Sequence, residues 1–175
     1  IVAPDGRDAM IQHAHDFAAQ NIPFMFDPGQ NLPLFSKEEL MIFLDQATWC
    51  VMNDYESQLM MNTTGESIES LASQVDALIV TRGGEGSIIY AEGEEIEIPQ
   101  VAVDEAVDPT GCGDAYRAGL LLGLEKGWGW ETSGRVGSLI GALKVQQKGT
   151  QNHEFSMDEF AQQYETHFAM ELPHA

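Results

Sequence analysis

Apolar residues recur at helical spacing near the start of the chain. Met10, Ile11, Ala14, Phe17 and Ala18 mark one face of a helix over residues 5–20. Pro23 stops that helix, and Pro23-Phe24-Met25-Phe26-Asp27 reads as a short buried strand. A turn-rich loop follows from Pro28 to Pro33. Ser36, with Glu38 and Glu39 behind it, caps a second helix that runs to about Ala47. Thr48 to Met52 is a second short strand ending at Asn53, and helical segments cover 54–61 and 66–74. Ala77 to Thr81 is aliphatic or β-branched on both faces, the pattern of a buried parallel strand. Ser87–Ala91 and Glu95–Pro99 form a hairpin around Glu92-Gly93. Helices are expected at 113–126, 131–147 and 157–169, the last opened by Ser156 and Glu159 as a capping box.

This alternation predicts an α/β fold: a doubly wound, mainly parallel sheet with helices on both faces, in one compact domain over 1–175. Ligands of such sheets bind beyond the carboxyl ends of the strands. That rule directs attention to Asp27, Asn53, Thr81 and the loop around Asp108.

Composition narrows the function. The 175 residues are 43% hydrophobic, enough for a packed core, and no apolar run is long enough to span a bilayer. The chain opens at Ile1 without a starting Met, a basic segment or a signal core, and is expected to be a fragment of a larger fold. Its two cysteines, Cys50 and Cys112, lack metal-knuckle or redox spacing and fit a reducing cytoplasm. The net charge of −20, from 28 acidic and 8 basic residues, argues against nucleic acid and anionic membranes as partners. A phosphate site here must rely on backbone N–H groups, a few cations and metal ions.

The chemistry concentrates in Asp108-Pro109-Thr110-Gly111-Cys112-Gly113-Asp114-Ala115, where a small-residue loop opens into an apolar helix. Helix-initial N–H groups lack partners within the helix, and its dipole favours an anion there. Asp114 sits at the mouth of that cradle, where it can take a proton from an attacking hydroxyl. The plain alternative is a capped helix after a glycine turn. Two further strand ends carry Asn53-Asp54-Tyr55-Glu56, which read alone is a helix cap, and Thr81-Arg82-Gly83-Gly84-Glu85-Gly86, which read alone is turn geometry.

The Asp108–Asp114 segment resembles the second signature of the PfkB or ribokinase family, with Cys112 in place of the usual Ala and Pro109 in place of Thr. The resemblance covers essentially the whole chain but only the later, C-terminal ATP-binding portion of a ribokinase-like domain. The substrate half and β lid of the family are not in it. It implies a kinase for a primary alcohol on a ribose-like ring. Asp114 would be the base and Gly111, Cys112, Gly113 and Asp114 a backbone anion hole. It implies that Asn53 contacts ATP phosphates, that Glu56 organises Mg²⁺, and that Thr81, Gly83 and Gly86 lie along the nucleotide. Arg82 would offset phosphate charge, or simply lie at the surface. Asp108 would help bind a monovalent cation such as K⁺, although His153 stands where the family's sugar kinases have a small hydroxyl residue. Gly137, Ile140 and Gly141 would back the adenine ring, unless they serve ordinary helix packing.

The run Gly149-Thr150-Gln151-Asn152-His153 is similar to that of adenosine kinase-like members, so adenosine is the expected acceptor. Ribose or fructose is the alternative within the class. A non-catalytic nucleotide-binding module is the alternative outside it. A dinucleotide oxidoreductase ranks lower, because the glycines at 83–86 lead into a strand rather than a helix. A homodimer formed through the family's lid is the expected assembly. This portion alone is expected to bind nucleotide weakly and turn over little.

Overall fold

The computed structural model describes residues 1–173. Its elements are α1 (Arg7–Ala19), β1 (Met25–Phe26), α2 (Lys37–Gln46), β2 (Trp49–Asn53), α3 (Asp54–Thr64), α4 (Ile68–Ala72), β3 (Ala77–Thr81), β4 (Ser87–Ala91), β5 (Glu94–Ile98), α5 (Cys112–Glu125), α6 (Gly129–Val145) and α7 (Met157–Phe168). One five-stranded sheet has the order β1-β2-β3-β4-β5. β1, β2 and β3 run parallel, as their uninterrupted apolar runs require. β4 and β5 are joined by Glu92 and Gly93, both with positive φ. So short a turn joins only antiparallel strands.

The chain divides into two compact units, Ile1–Arg82 with Ile88–Glu95, and Gly83–Ser87 with Ile96–Ala175. The core of the first is built on Phe26 and Phe43, whose rings stack at 4.4 Å, with Phe35 edge-on to Phe43 at 5.0 Å. Leu40, Leu44, Met52 and Leu78 complete it, all fully buried or nearly so. Each such side chain contributes about 1.5–3 kcal/mol by leaving water. The core of the second lies between α6 and α7, around Val136, Leu139, Phe160 and Tyr164. In this unit α5 and α6 approach closely. A Cβ on Gly119 would stand 2.8 Å from the Gly137 Cα, which explains glycine at the contact.

Local chemistry accounts for the helix ends. Ser36 and Glu39 form a capping box on α2, and Ser156 and Glu159 form one on α7. Gly65, at φ 74°, ends α3 three residues beyond the sequence estimate. The loop at 28–33 winds into a 3-10 helix, Gly29–Leu34, and buries Leu32. Gly83–Glu85 forms a second short 3-10 turn. Among the described residues, no helix is long and apolar enough to cross a membrane.

Candidate active site

In the first unit, the functional candidates sit at the carboxyl ends of neighbouring parallel strands. Asn53 and Thr81 are register partners as the last residues of β2 and β3. The Thr81 hydroxyl points back to the Met52 carbonyl at 3.5 Å. Asn53 caps α3 through a reciprocal box: Glu56 N–H donates to Asn53 Oδ1 at 2.7 Å, and Asn53 N–H donates to Glu56 Oε2 at 2.8 Å. The capping reading of Asn-x-x-Glu is therefore realised. The Asn53 amide NH₂ and the second Glu56 oxygen take no part in the box, and these are the groups available to a ligand. Asp27 is buried at the end of β1, 3% exposed. Arg82 lies close enough to the Tyr90 phenol to act on it electrostatically.

In the second unit, Gly86 has φ 84°, and a Cβ there would meet the Ile98 carbonyl oxygen at 2.1 Å, so no side chain fits. Gly83, also at positive φ, begins the 3-10 turn. The loop before α5 is folded on Asp108. Its Oδ1 accepts from Thr110 N–H at 2.9 Å and its Oδ2 from Gly149 N–H at 2.8 Å. The Gly149 and Thr110 N–H groups hold the Asp108 carboxyl well below its usual range, at about 2. Gly111, at φ 84°, is the N-cap of α5, and a Cβ there would press on Thr150 at 3.1–3.2 Å.

The first helical bond of α5 runs from Ala115 N–H to the Gly111 carbonyl at 3.0 Å. The Gly113 and Asp114 N–H groups therefore lie ahead of the helical ladder. Cys112 N–H donates to the Pro109 carbonyl at 3.1 Å. Burial pushes the Cys112 thiol up, which keeps it neutral. The Asp114 carboxylate is 76% exposed and accepts from Arg117 Nη2 at 2.6 Å. Arg117 was not singled out from the sequence, though its i,i+3 spacing from Asp114 was the available signal.

The three residues expected behind the adenine divide. Gly137 and Ile140 are packing residues against α5: a Cβ on Gly137 would meet the Tyr116 carbonyl at 2.7 Å, and Ile140 Cδ1 lies 2.9 Å from the position of a Cβ on Gly119. Gly141 is different. A Cβ there would stand 3.7 Å from the Cys112 carbonyl, ordinary contact distance, so a small residue beside the loop is not forced by packing. His153 stacks against Phe155 with centroids 6.2 Å apart, in keeping with a packed residue.

Among the described residues, no cluster of three or more His, Cys, Asp or Glu could hold a metal ion. A hard cation that keeps most of its waters and takes one carboxylate plus phosphates is compatible with that donor set. Glu56 is the residue here that would serve it.

Comparison with known proteins decides the family. The model of the pfkB family carbohydrate kinases matches residues 1–156. The chain belongs to this family. It is 39% identical over 142 residues to a nucleoside kinase of Methanocaldococcus jannaschii, covering 81% of this chain and 47% of that protein. It is 26% identical over 163 residues to the adenosine kinase of Saccharomyces cerevisiae, covering 85% of this chain and 47% of the yeast protein. Its fold matches the solved structure of Burkholderia thailandensis nucleoside kinase in complex with ADP-inosine, with a TM-score of 0.96 at 43% identity, over 99% of this chain and 55% of that one. The ribokinase of Thermotoga maritima shares the fold at 22% identity, with a TM-score of 0.71. The chain spans about half the length of the curated relatives it matches.

Proposed function

We propose that this pfkB chain is the ATP-binding and catalytic portion of a kinase that phosphorylates the primary alcohol of a nucleoside ribose, with adenosine as its acceptor. The observation that carries the reading is the Gly111–Asp114 turn, where two helix-initial N–H groups and an exposed carboxylate share the first turn of α5. Asp114 accepts the proton of the attacking hydroxyl. The N–H groups of Gly111, Gly113 and Asp114 hold the charge of the phosphoryl group in transfer. Cys112 supplies a fourth N–H by giving up the Pro109 carbonyl.

Asn53 would hold ATP phosphate through its amide, and Glu56 would hold the hydrated Mg²⁺ through the oxygen its capping box leaves open. Mg²⁺, when bound with ATP, supplies neutralisation of phosphate charge. Thr81, Gly83 and Gly86 line the nucleotide, and Gly141 leaves space for its base. The cytoplasm is the compartment that fits two unpaired cysteines. A homodimer through the lid of the complete fold is the assembly we expect.

The nucleoside kinases among the relatives support the acceptor class, and the adenosine kinase supports adenosine within it. Inosine is the second reading, since the Burkholderia enzyme is seen with it. The test is ADP release by the full natural chain with Mg·ATP, offering adenosine, inosine, ribose and fructose in parallel. Release with adenosine supports the proposal. Release with inosine alone moves the acceptor to the second reading, and release with a sugar alone overturns the nucleoside. No release with any, alongside measurable nucleotide binding, favours a binding module.

A further inference from the structure

A buried cation in the second unit has no part in the chemistry above. Lys144, on the last turn of α6, is fully buried. Its ammonium donates to the Asp108 carbonyl at 2.6 Å and to the Gln147 carbonyl at 3.2 Å. Burying an ammonium is costly unless hydrogen bonds and opposite charge compensate it. Both are present, because the Asp108 carboxylate also lies within electrostatic range of Lys144.

The same spot ties three pieces of chain together. The Val145 carbonyl accepts from Val107 N–H at 2.8 Å and from Asp108 N–H at 3.0 Å. Asp108 Oδ2 holds Gly149 N–H, and Gly111 rests on Thr150. The end of α6, the turn at 147–150 and the loop that leads to Asp114 are thus laced around one positive charge.

Backbone carbonyls gathered about a single charge are also the surroundings that a bare monovalent cation such as K⁺ takes in place of water. The family resemblance implies such a cation beside Asp108. The residues present do not fit one. Both Asp108 carboxylate oxygens already accept backbone N–H groups, and its carbonyl is held by the Lys144 ammonium. A second cation would meet that ammonium at short range, where like charges repel strongly.

We propose that the Lys144 ammonium is a built-in monovalent cation that fixes the anion-binding loop, so that turnover by this protein does not need potassium. Lys144 is a positioning residue: it touches neither nucleotide nor acceptor, and acts by holding Asp108 and through it the loop ending at Asp114. The inference rests on the kinase reading.

The experiment compares ADP release by the full natural chain and by its Lys144→Ala and Lys144→Met variants, in buffers whose only monovalent cation is tetramethylammonium, with and without added potassium. The wild type is expected to turn over equally in both. Lys144→Ala should lose about tenfold to a hundredfold in kcat without potassium, the cost of misplacing a catalytic group by a fraction of an ångström to an ångström. Potassium should restore much of that loss by entering the vacated space. Lys144→Met, which fills the space without charge, should stay slow in both buffers. Thermal melts of each variant separate a shifted loop from a misfolded chain, and if neither variant folds the wild-type comparison still decides. A wild type that needs potassium, or a Lys144→Ala variant that keeps the wild-type rate without it, overturns the proposal and leaves the kinase reading intact. A wild type that releases no ADP in either buffer sinks the kinase reading, and this inference with it.

Discussion

Arg117 donates from Nη2 to Asp114 Oδ1 at 2.6 Å across one turn of α5. The arginine is 20% exposed and the carboxylate 76%, so the cation is seated and the carboxylate is presented to solvent. On the proposed mechanism, this pair orients Asp114 with one oxygen occupied and leaves the other for an incoming hydroxyl. Replacing Arg117 by Gln should lower kcat about tenfold, equal to about 1.4 kcal/mol of lost orientation. Stability should fall by about 1 kcal/mol, the usual scale of a single substitution, because the arginine itself is largely buried. Steady-state kinetics and a thermal melt check both, and an unchanged kcat removes Arg117 from the mechanism.

The contact between Gly119 and Gly137 sets the spacing of α5 and α6, and with it the place of the Gly111–Asp114 turn. Gly119→Ala drives a Cβ to 2.8 Å from the Gly137 Cα. Neither backbone can yield without moving a helix. The expected loss is about 2 kcal/mol, the usual scale of overpacking, read from chemical denaturation. Tolerance of alanine at full stability would show that the helices are not in the close contact described.

Asp108 makes stability depend on acid. Its carboxyl is held at about 2 by the Gly149 and Thr110 N–H groups, below the value of about 3.9 expected of an unfolded aspartate. A depressed folded value means that the stabilisation is complete above the unfolded value and is lost as pH falls toward the folded one. Asp108→Asn should therefore be less stable than wild type at neutral pH, and the gap should narrow between about pH 4 and pH 2. Melting temperatures across that range test the sign, and a gap that widens in acid contradicts it.

Much of this architecture is legible in the sequence because local signals agree with the fold. The run Ala-Leu-Ile-Val-Thr falls on β3 from Ala77 to Thr81, and Ser36 and Ser156 cap the helices their patterns announce. The 3-10 helix at Gly29–Leu34 was not legible, since Pro33 and Gly29 read as loop and the burial of Leu32 is a tertiary effect. The Asp108–Asp114 loop stands out in the sequence by its glycines and its resemblance to a family signature. Its supports do not. Lys144 lies in an apolar helical stretch where a lone lysine reads as a surface residue, and only the fold brings the Asp108 carbonyl, 36 positions earlier, onto its ammonium. Gly137 and Gly141 look alike in sequence, yet the first is forced by helix contact and the second is not.

The central claim is that Asp114 is the base for phosphoryl transfer. Asp114→Asn in the full natural chain keeps the size of the side chain and much of its hydrogen bonding, and the residue faces solvent, so the fold should be unaffected. The measurement is the single-turnover rate of ADP formation with Mg·ATP and adenosine, beside a nucleotide-binding titration. A fall of about a thousandfold, the scale of a lost general base, with nucleotide affinity and melting temperature nearly unchanged, is the predicted result. A variant that turns over at the wild-type rate would contradict the account.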